Sequence, residues 1–159
     1  MKRWLLLGCT AINLYLLGAA CLLLAVAYPQ LGEVGREALP AWHASLSRRL
    51  VVAFITPEFL SFLVMLPLLR WRPEGAPASL AWGAVLLGLV YFAITFGWHL
   101  PAHRQIAGGD ASPEVMGAML GSHAVRTVAL ALRCGLLVWM VWAAGVAAQR
   151  SERSSHLSM

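Results

Sequence analysis

Charge is what this sequence has least of. Of its 159 residues, 12% are charged and 60% are hydrophobic, where a soluble domain carries about 25% charged residues. That deficit leaves too little polar surface to cover a water-soluble globule. Acidic residues are the scarcer sign: seven Asp and Glu stand against twelve Lys and Arg, a net charge of +5. The basic residues cluster at the ends of apolar runs, where they orient membrane helices and meet lipid headgroups. The positive balance therefore does not indicate nucleic acid. Cysteine is also scarce. Cys9, Cys21 and Cys134 all fall inside apolar runs and none makes a C-x-x-C pair. That pattern excludes the redox motif and leaves small buried filler as their reading. No internal repeat is visible.

Four long apolar runs dominate what is present, at 4–28, 50–69, 79–98 and 127–149. A membrane helix needs about 20 mostly apolar residues, and all four qualify. Within them only Glu58 and Arg133 are charged. The expectation is an all-α integral membrane four-helix bundle, one domain over 1–150, followed by a disordered polar tail at 151–159. Lys2-Arg3 and Ala25-Val26-Ala27 resemble a secretory signal. The first run is longer than the 7–15 residues of a signal core, however, and reads as a retained anchor. Six basic residues (Lys2, Arg3, Arg70, Arg72, Arg150, Arg153) fall on one side and four (Arg36, Arg48, Arg49, Arg104) on the other. This bias puts both termini in the cytoplasm, and the bacterial inner membrane is the expected location.

The connections differ in kind. Residues 70–78 form a short Pro/Gly turn. The two outer connections, 29–49 and 107–122, are long. Pro40 suits the first turn of the second helix, and Ser112-Pro113-Glu114 reads as a cap, a first-turn proline and a first-turn acid.

Glu58 and Arg133 are the most informative single residues, because ionisable groups in lipid face the bundle interior. Counted at 1.5 Å per residue, Glu58 lies about 14 Å below Arg49 and Arg133 about 15 Å below His123. Opposite charges at matching depth predict a buried pair. His123, Arg126, Leu130 and Arg133 share one face of the fourth helix by their spacing, as Tyr91, Thr95 and His99 do on the third. On the first helix, Asn13, Cys21 and Tyr28 fall on roughly one side. Ser47, Phe54 and Glu58 mark the second. Pro101 is expected to kink or end the third helix and swing His103 off its stripe. His43, His99, His103 and His123 all fall at the outer ends of helices or in the outer connections. The pattern predicts an outward-facing polar pocket of Tyr28, His43, Glu58, Tyr91, Thr95, His99 and Arg133 with His103, His123 and Arg126. Taken singly, each histidine also fits an interfacial anchor, and Trp42, Trp98, Trp139 and Trp142 fit an aromatic belt.

The order of these residues resembles the anthrone oxygenase-like family of small four-helix membrane proteins. Tyr28-Pro29 follows the first run, His43 precedes the second, and Pro57 lies within it. "PAHRQI" at Pro101–Ile106 is similar to the family's Pro-x-Asn/His-x-x-Leu element, and "HAVRT" at His123–Thr127 to its Asn-Trp-x-Arg-Thr element. The resemblance covers roughly residues 28–133. His123 stands where the family has Asn, and Ala124 where it has Trp. The resemblance implies oxidation of a flat, hydrophobic aromatic molecule by dioxygen with no bound cofactor. That chemistry needs a base to take a proton from an activated carbon and a cation to stabilise the oxyanion. His103 or His123 is then the candidate base and Arg126 the cation. Two other classes stay open: a haem or metal ion held by histidine, and an accessory subunit of a larger membrane complex or a homo-oligomer. Partners are the lipid bilayer and a hydrophobic small molecule.

Overall fold

A computed structural model describes residues 1–110 and 112–157, without side chains at 152 and 154–157. It contains four helical rods: α1 (Lys2–Leu31), α2 (Leu39–Leu69) and α3 (Ala78–Ala107), and α4 (Pro113–Leu157). They run up and down, so that both ends of the chain and the 70–77 turn lie at one end of the bundle, the terminal end. The two longer connections lie at the other, the loop end. α4 packs along both α1 and α3, while α2 packs along α1. The fold is the all-α bundle the sequence predicts.

The helices outrun the apolar runs. α1, α2 and α3 have 30, 31 and 30 residues, so each reaches roughly 45 Å, past a hydrocarbon core of about 30 Å. The expected spans are the apolar middles of longer rods. α2 starts at Leu39 with Pro40 in its first turn. α4 starts at Pro113, where Ser112 Oγ faces the Val115 N–H at 3.5 Å. Just before it, Asp110 accepts the Ser112 N–H at 2.9 Å. Hydrogen bonds from Ser112, with Arg36 adding attraction, hold the Asp110 carboxyl below its usual pKa. α4 stays helical to Leu157, so the segment expected as a disordered tail continues the helix. Ser158 and Met159, and Ala111 in the last connection, lie outside the described residues.

The bundle is apolar outside and polar within. Leu14, Leu22, Val52, Phe59, Leu60, Leu86, Val90, Val128 and Leu132 are exposed, while Asn13, Glu58, His123, Arg126 and Arg133 are buried. Such an outer face suits lipid, and all four helices are long and apolar enough to cross a membrane. This is an integral membrane protein. Two apolar clusters fill the interior. One, with Leu6, Met65, Val85 and Met140, lies toward the terminal end. The other, with Leu16, Tyr28, Ile106, Met119 and Leu130, lies toward the loop end. Cys9 and Cys134 are buried filler as expected, but Cys21 is exposed. Cys21 therefore does not share a buried face with Asn13 and Tyr28.

Proline shapes three of the four rods in the same way. A single wide π turn covers Leu23–Ala27, Val51–Ile55 and Thr95–His99. Each ends two residues before a proline: Pro29, Pro57 and Pro101. In each, the residue before the proline bonds back five positions: Tyr28 to the Leu23 carbonyl, Thr56 to Val51 and Leu100 to Thr95. Proline has no N–H, and its ring crowds the carbonyl four residues earlier. A widened turn makes room for the ring and lets the helix continue. Pro101 therefore does not end α3, and His103 is not swung away; it remains stacked one turn beyond His99.

Each proline also strands a carbonyl. Pro57 leaves the Ala53 carbonyl without its helical donor, and the Tyr15 hydroxyl on α1 donates to it at 2.7 Å. Tyr15→Phe should lower stability by about 0.5–1.5 kcal/mol, read by unfolding in mixed micelles. In a Pro57→Ala background the loss should shrink, because the restored amide offers Ala53 a partner. Equal losses in both backgrounds would show that Tyr15 acts some other way.

Candidate functional site

The deepest polar layer separates the two apolar clusters. Arg133 on α4 donates through Nη2 to both Glu58 oxygens on α2, at 2.8 and 3.1 Å. Arg133 is 0% exposed and Glu58 2%, so the predicted pair is present and fully desolvated. Beside it, the Asn13 amide on α1 donates to Ser61 Oγ on α2 at 2.9 Å and to the Cys9 carbonyl at 2.7 Å. Gly88 on α3 makes the space: a Cβ there would come within 2.7 Å of the Phe62 ring and 3.4 Å of Arg133 Nη1.

Nearer the loop end, all four helices deliver side chains to one cluster. α1 brings Tyr28, α2 His43, α3 His99 and His103, and α4 Ser122, His123 and Arg126. Tyr28 is the hub. Its ring lies edge-on to His123 at 4.7 Å between centroids, and 6.0 Å from both His99 and His103. A hydrogen-bonded chain joins three imidazoles. His43 Nε2 lies 2.8 Å from His103 Nδ1, His103 Nε2 lies 3.0 Å from His99 Nε2, and His99 Nδ1 lies 2.8 Å from Ser122 Oγ.

The donors in that chain follow from its end. The Ser122 hydroxyl gives its one proton to the Met119 carbonyl at 2.9 Å. Ser122 Oγ must then accept from His99, which puts the proton of His99 on Nδ1 and leaves its Nε2 bare. His103 Nε2 must donate to that bare nitrogen. His103 Nδ1 is then the acceptor for an N–H on His43 Nε2. The chain closes with every ring neutral, and an extra proton on His99 would set two N–H groups head to head. His123 is assigned the same way. Its Nε2 faces the Ala20 carbonyl of α1 at 3.0 Å. A carbonyl can only accept, so the proton is on Nε2 and Nδ1 is bare. That nitrogen is buried without a hydrogen-bond partner.

Arg126 supplies the charge. It donates to the Tyr91 hydroxyl, and its guanidinium lies over the Tyr91 ring, 4.5 Å from the centroid. Its Nε is buried without a partner. Its charge acts on Tyr28, His99, His103 and His123. Among the described residues two buried guanidiniums stand against one buried carboxylate, and Glu58 is already held by Arg133. Arg126 is therefore a buried cation held by Tyr91 alone among the described residues, through its hydroxyl and its ring face.

Of the residues predicted from sequence, Tyr28, His43, His99, His103, His123 and Arg126 lie in this cluster. Tyr91 links Arg126 to the deeper pair, since Arg133 lies 5.8 Å from the same ring. Thr95 does not join, because its hydroxyl bonds its own helix at the Tyr91 carbonyl, 2.7 Å away. Sequence reasoning missed Ser122 and Ser61. Ser122 was detectable, because it precedes Arg126 by four residues and so shares its buried face. Among the described residues no three His, Cys, Asp or Glu side chains are grouped to hold a metal ion. The most closely grouped donors at the centre of the cluster are Tyr28 Oη, His99 Nε2 and His103 Nε2, 3.0–3.5 Å apart. No family model, curated protein or solved structure matches the chain.

Breaking the deep pair from one side should be severe. Glu58→Gln leaves Arg133 as an uncompensated buried cation and should lower stability by about 3–5 kcal/mol. Replacing both residues together, Glu58→Gln with Arg133→Met, should lower it by less. If the double variant unfolds as early as the single one, burial of unpaired charge is not the cause.

Proposed function

We propose that this protein is a membrane oxidoreductase, an oxygenase that works without a bound cofactor on a hydrophobic aromatic molecule bearing an acidic C–H bond. The observation that carries the reading is His123. Its tautomer is set by the Ala20 carbonyl, so its bare Nδ1 is a buried base. Arg126, one turn further along α4, is a buried cation with no carboxylate paired to it among the described residues. Base and cation together are what proton abstraction next to a carbonyl needs. His123 Nδ1 takes the proton, and Arg126 stabilises the enolate oxygen that results. Dioxygen accepts the electrons: the methylene becomes a carbonyl, and one oxygen atom leaves as water with the two hydrogens. The resemblance to anthrone oxygenase-like proteins supports the same scheme. Of the two candidate bases, the geometry favours His123, because both nitrogens of His103 are engaged in the imidazole chain.

The test is oxygen uptake by the purified protein with a tricyclic aromatic ketone such as anthrone, in the presence of a metal chelator. One O2 should be consumed per molecule oxidised. His123→Ala should lower the rate by about 10²–10⁴-fold, and Arg126→Ala by about 10²–10³-fold, with both variants still folded. No uptake by the wild-type protein, or full activity in both variants, would sink the proposal.

We also infer that both termini are cytoplasmic in a bacterial inner membrane, from the basic residues at the terminal end. In a cysteine-free background, a cysteine in place of exposed Gln105 should react with a membrane-impermeant maleimide added outside whole cells. One in place of exposed Glu74 should not. The opposite labelling would reverse the orientation.

A further inference from the structure

The imidazole chain has more order than an acid–base pair requires. His43 lies on α2 and His103 on α3, yet they meet nitrogen to nitrogen at 2.8 Å. Ser122 and Met119 on α4 set the direction of the whole chain from its far end. Tyr28 sits where the chain turns inward. Its hydroxyl is 3.4 Å from His99 Nε2 and 3.5 Å from His103 Nε2, long for hydrogen bonds. Tyr28 is 2% exposed, so its hydroxyl is buried and held by these two long contacts. It also lies against His123, the base.

We propose that His43 and His103 form a proton relay from the loop end to Tyr28, and that Tyr28 is the acid that returns a proton to the oxygen-derived group. The proposal rests on the reading of His123 as a base, because a proton taken there must be returned elsewhere for water to leave. Tyr28 Oη gives its proton to the anionic oxygen. His103 Nε2 gives its proton to the phenolate, and His103 Nδ1 takes one from His43 Nε2. His43, in the second turn of α2, takes a proton from the aqueous side at Nδ1. Each N–H or O–H bond broken is matched by one formed, and the net result is one proton moved inward. His99 is the positioning residue. Its Nδ1–H is held by Ser122, which keeps its Nε2 bare to hold the His103 proton on the inward-facing nitrogen. The direction of the resting chain is set at the Ser122 end, because reversing it costs a hydrogen bond, either Ser122 to Met119 or His103 to His99. After a transfer His43 and His103 carry their protons on Nδ1, and rotation of both rings restores the start.

Nitrogen NMR of ¹⁵N-histidine-labelled protein tests the relay without turnover. The expected protonated atoms are Nε2 in His43, His103 and His123, and Nδ1 in His99. A proton on Nδ1 of His103 or on Nε2 of His99 would overturn the relay, whether or not the protein oxidises anything. His43→Gln then separates orientation from transport, because the amide can donate to His103 but cannot pass a proton on. It should keep the His103 tautomer and the melting temperature, yet slow exchange of the His103 Nε2–H with deuterated water. Unchanged exchange would overturn the relay. Tyr28→Phe should lower oxygen uptake by about 10²-fold while leaving all four tautomers in place; unaltered uptake would remove Tyr28 from its role. If the tautomers and exchange behave as stated but no oxygen is consumed, the oxidation reading fails and the relay stands.

Discussion

The Glu58–Arg133 pair sits where the bundle can least tolerate charge, and the rest of the interior is arranged around it. Arg133 occupies the middle of α4 with no exposure, and Glu58 meets it from α2. Neither group can reach water. In lipid an unpaired ion at this depth would be expensive, so the pair links α2 and α4 and sets their rotation. Gly88 on α3 and the Asn13–Ser61 bond complete the layer. With that layer set, α4 must turn its 123–126–130–133 face inward along its whole loop-end half. That rotation is what presents His123 and Arg126 to the other three helices.

The second constraint is backbone. Three rods contain a proline that would break a helix in water, and each absorbs it in one wide turn. A π turn adds one residue per turn and so rotates everything beyond it. The wide turn of α1 ends just before Tyr28, that of α2 begins at Val51, further along the helix from His43, and that of α3 ends at His99, ahead of His103. The prolines therefore decide which way the loop-end thirds of α1, α2 and α3 point, and the cluster forms where those thirds meet α4. The repeated spacing, a wide turn ending two residues before the proline, follows from the missing amide and the bulk of the ring.

This explains which features the sequence made legible. The four spans were clear because lipid demands long apolar runs, and the ion pair was clear because its partners are the only charges inside them. The inward stripe on α4 was clear because that helix has no proline beyond its first residue, Pro113, and keeps a regular period from His123 to Arg133. Where a π turn intervenes, the period slips. Cys21 was placed on the face of Tyr28 and is exposed, because the turn at 23–27 lies between them. His103 was placed off the His99 stripe because Pro101 reads as a helix breaker. The wide turn ahead of the proline keeps the two rings within 4.5 Å. The direction of the imidazole chain and the tautomer of His123 were beyond reach from sequence. The first depends on the Ser122 hydroxyl choosing the Met119 carbonyl in its own helix over the facing His99, and the second on the Ala20 carbonyl of α1 facing His123.

Charge balance is what ties the deep layer to the cluster above it. Tyr91 lies between the two guanidiniums, with Arg126 over its ring and Arg133 further off the same ring. Glu58 neutralises only Arg133. Were Arg126 also to have a carboxylate, the cluster would be electrically complete and indifferent to a neutral molecule becoming an anion. Among the described residues the interior carries one positive charge more than its buried carboxylate offsets, beside the unpartnered Nδ1 of His123. In the proposed reaction an enolate beside Arg126 would offset that charge. The features that make the resting interior costly are the ones that would favour the charged intermediate over the uncharged substrate.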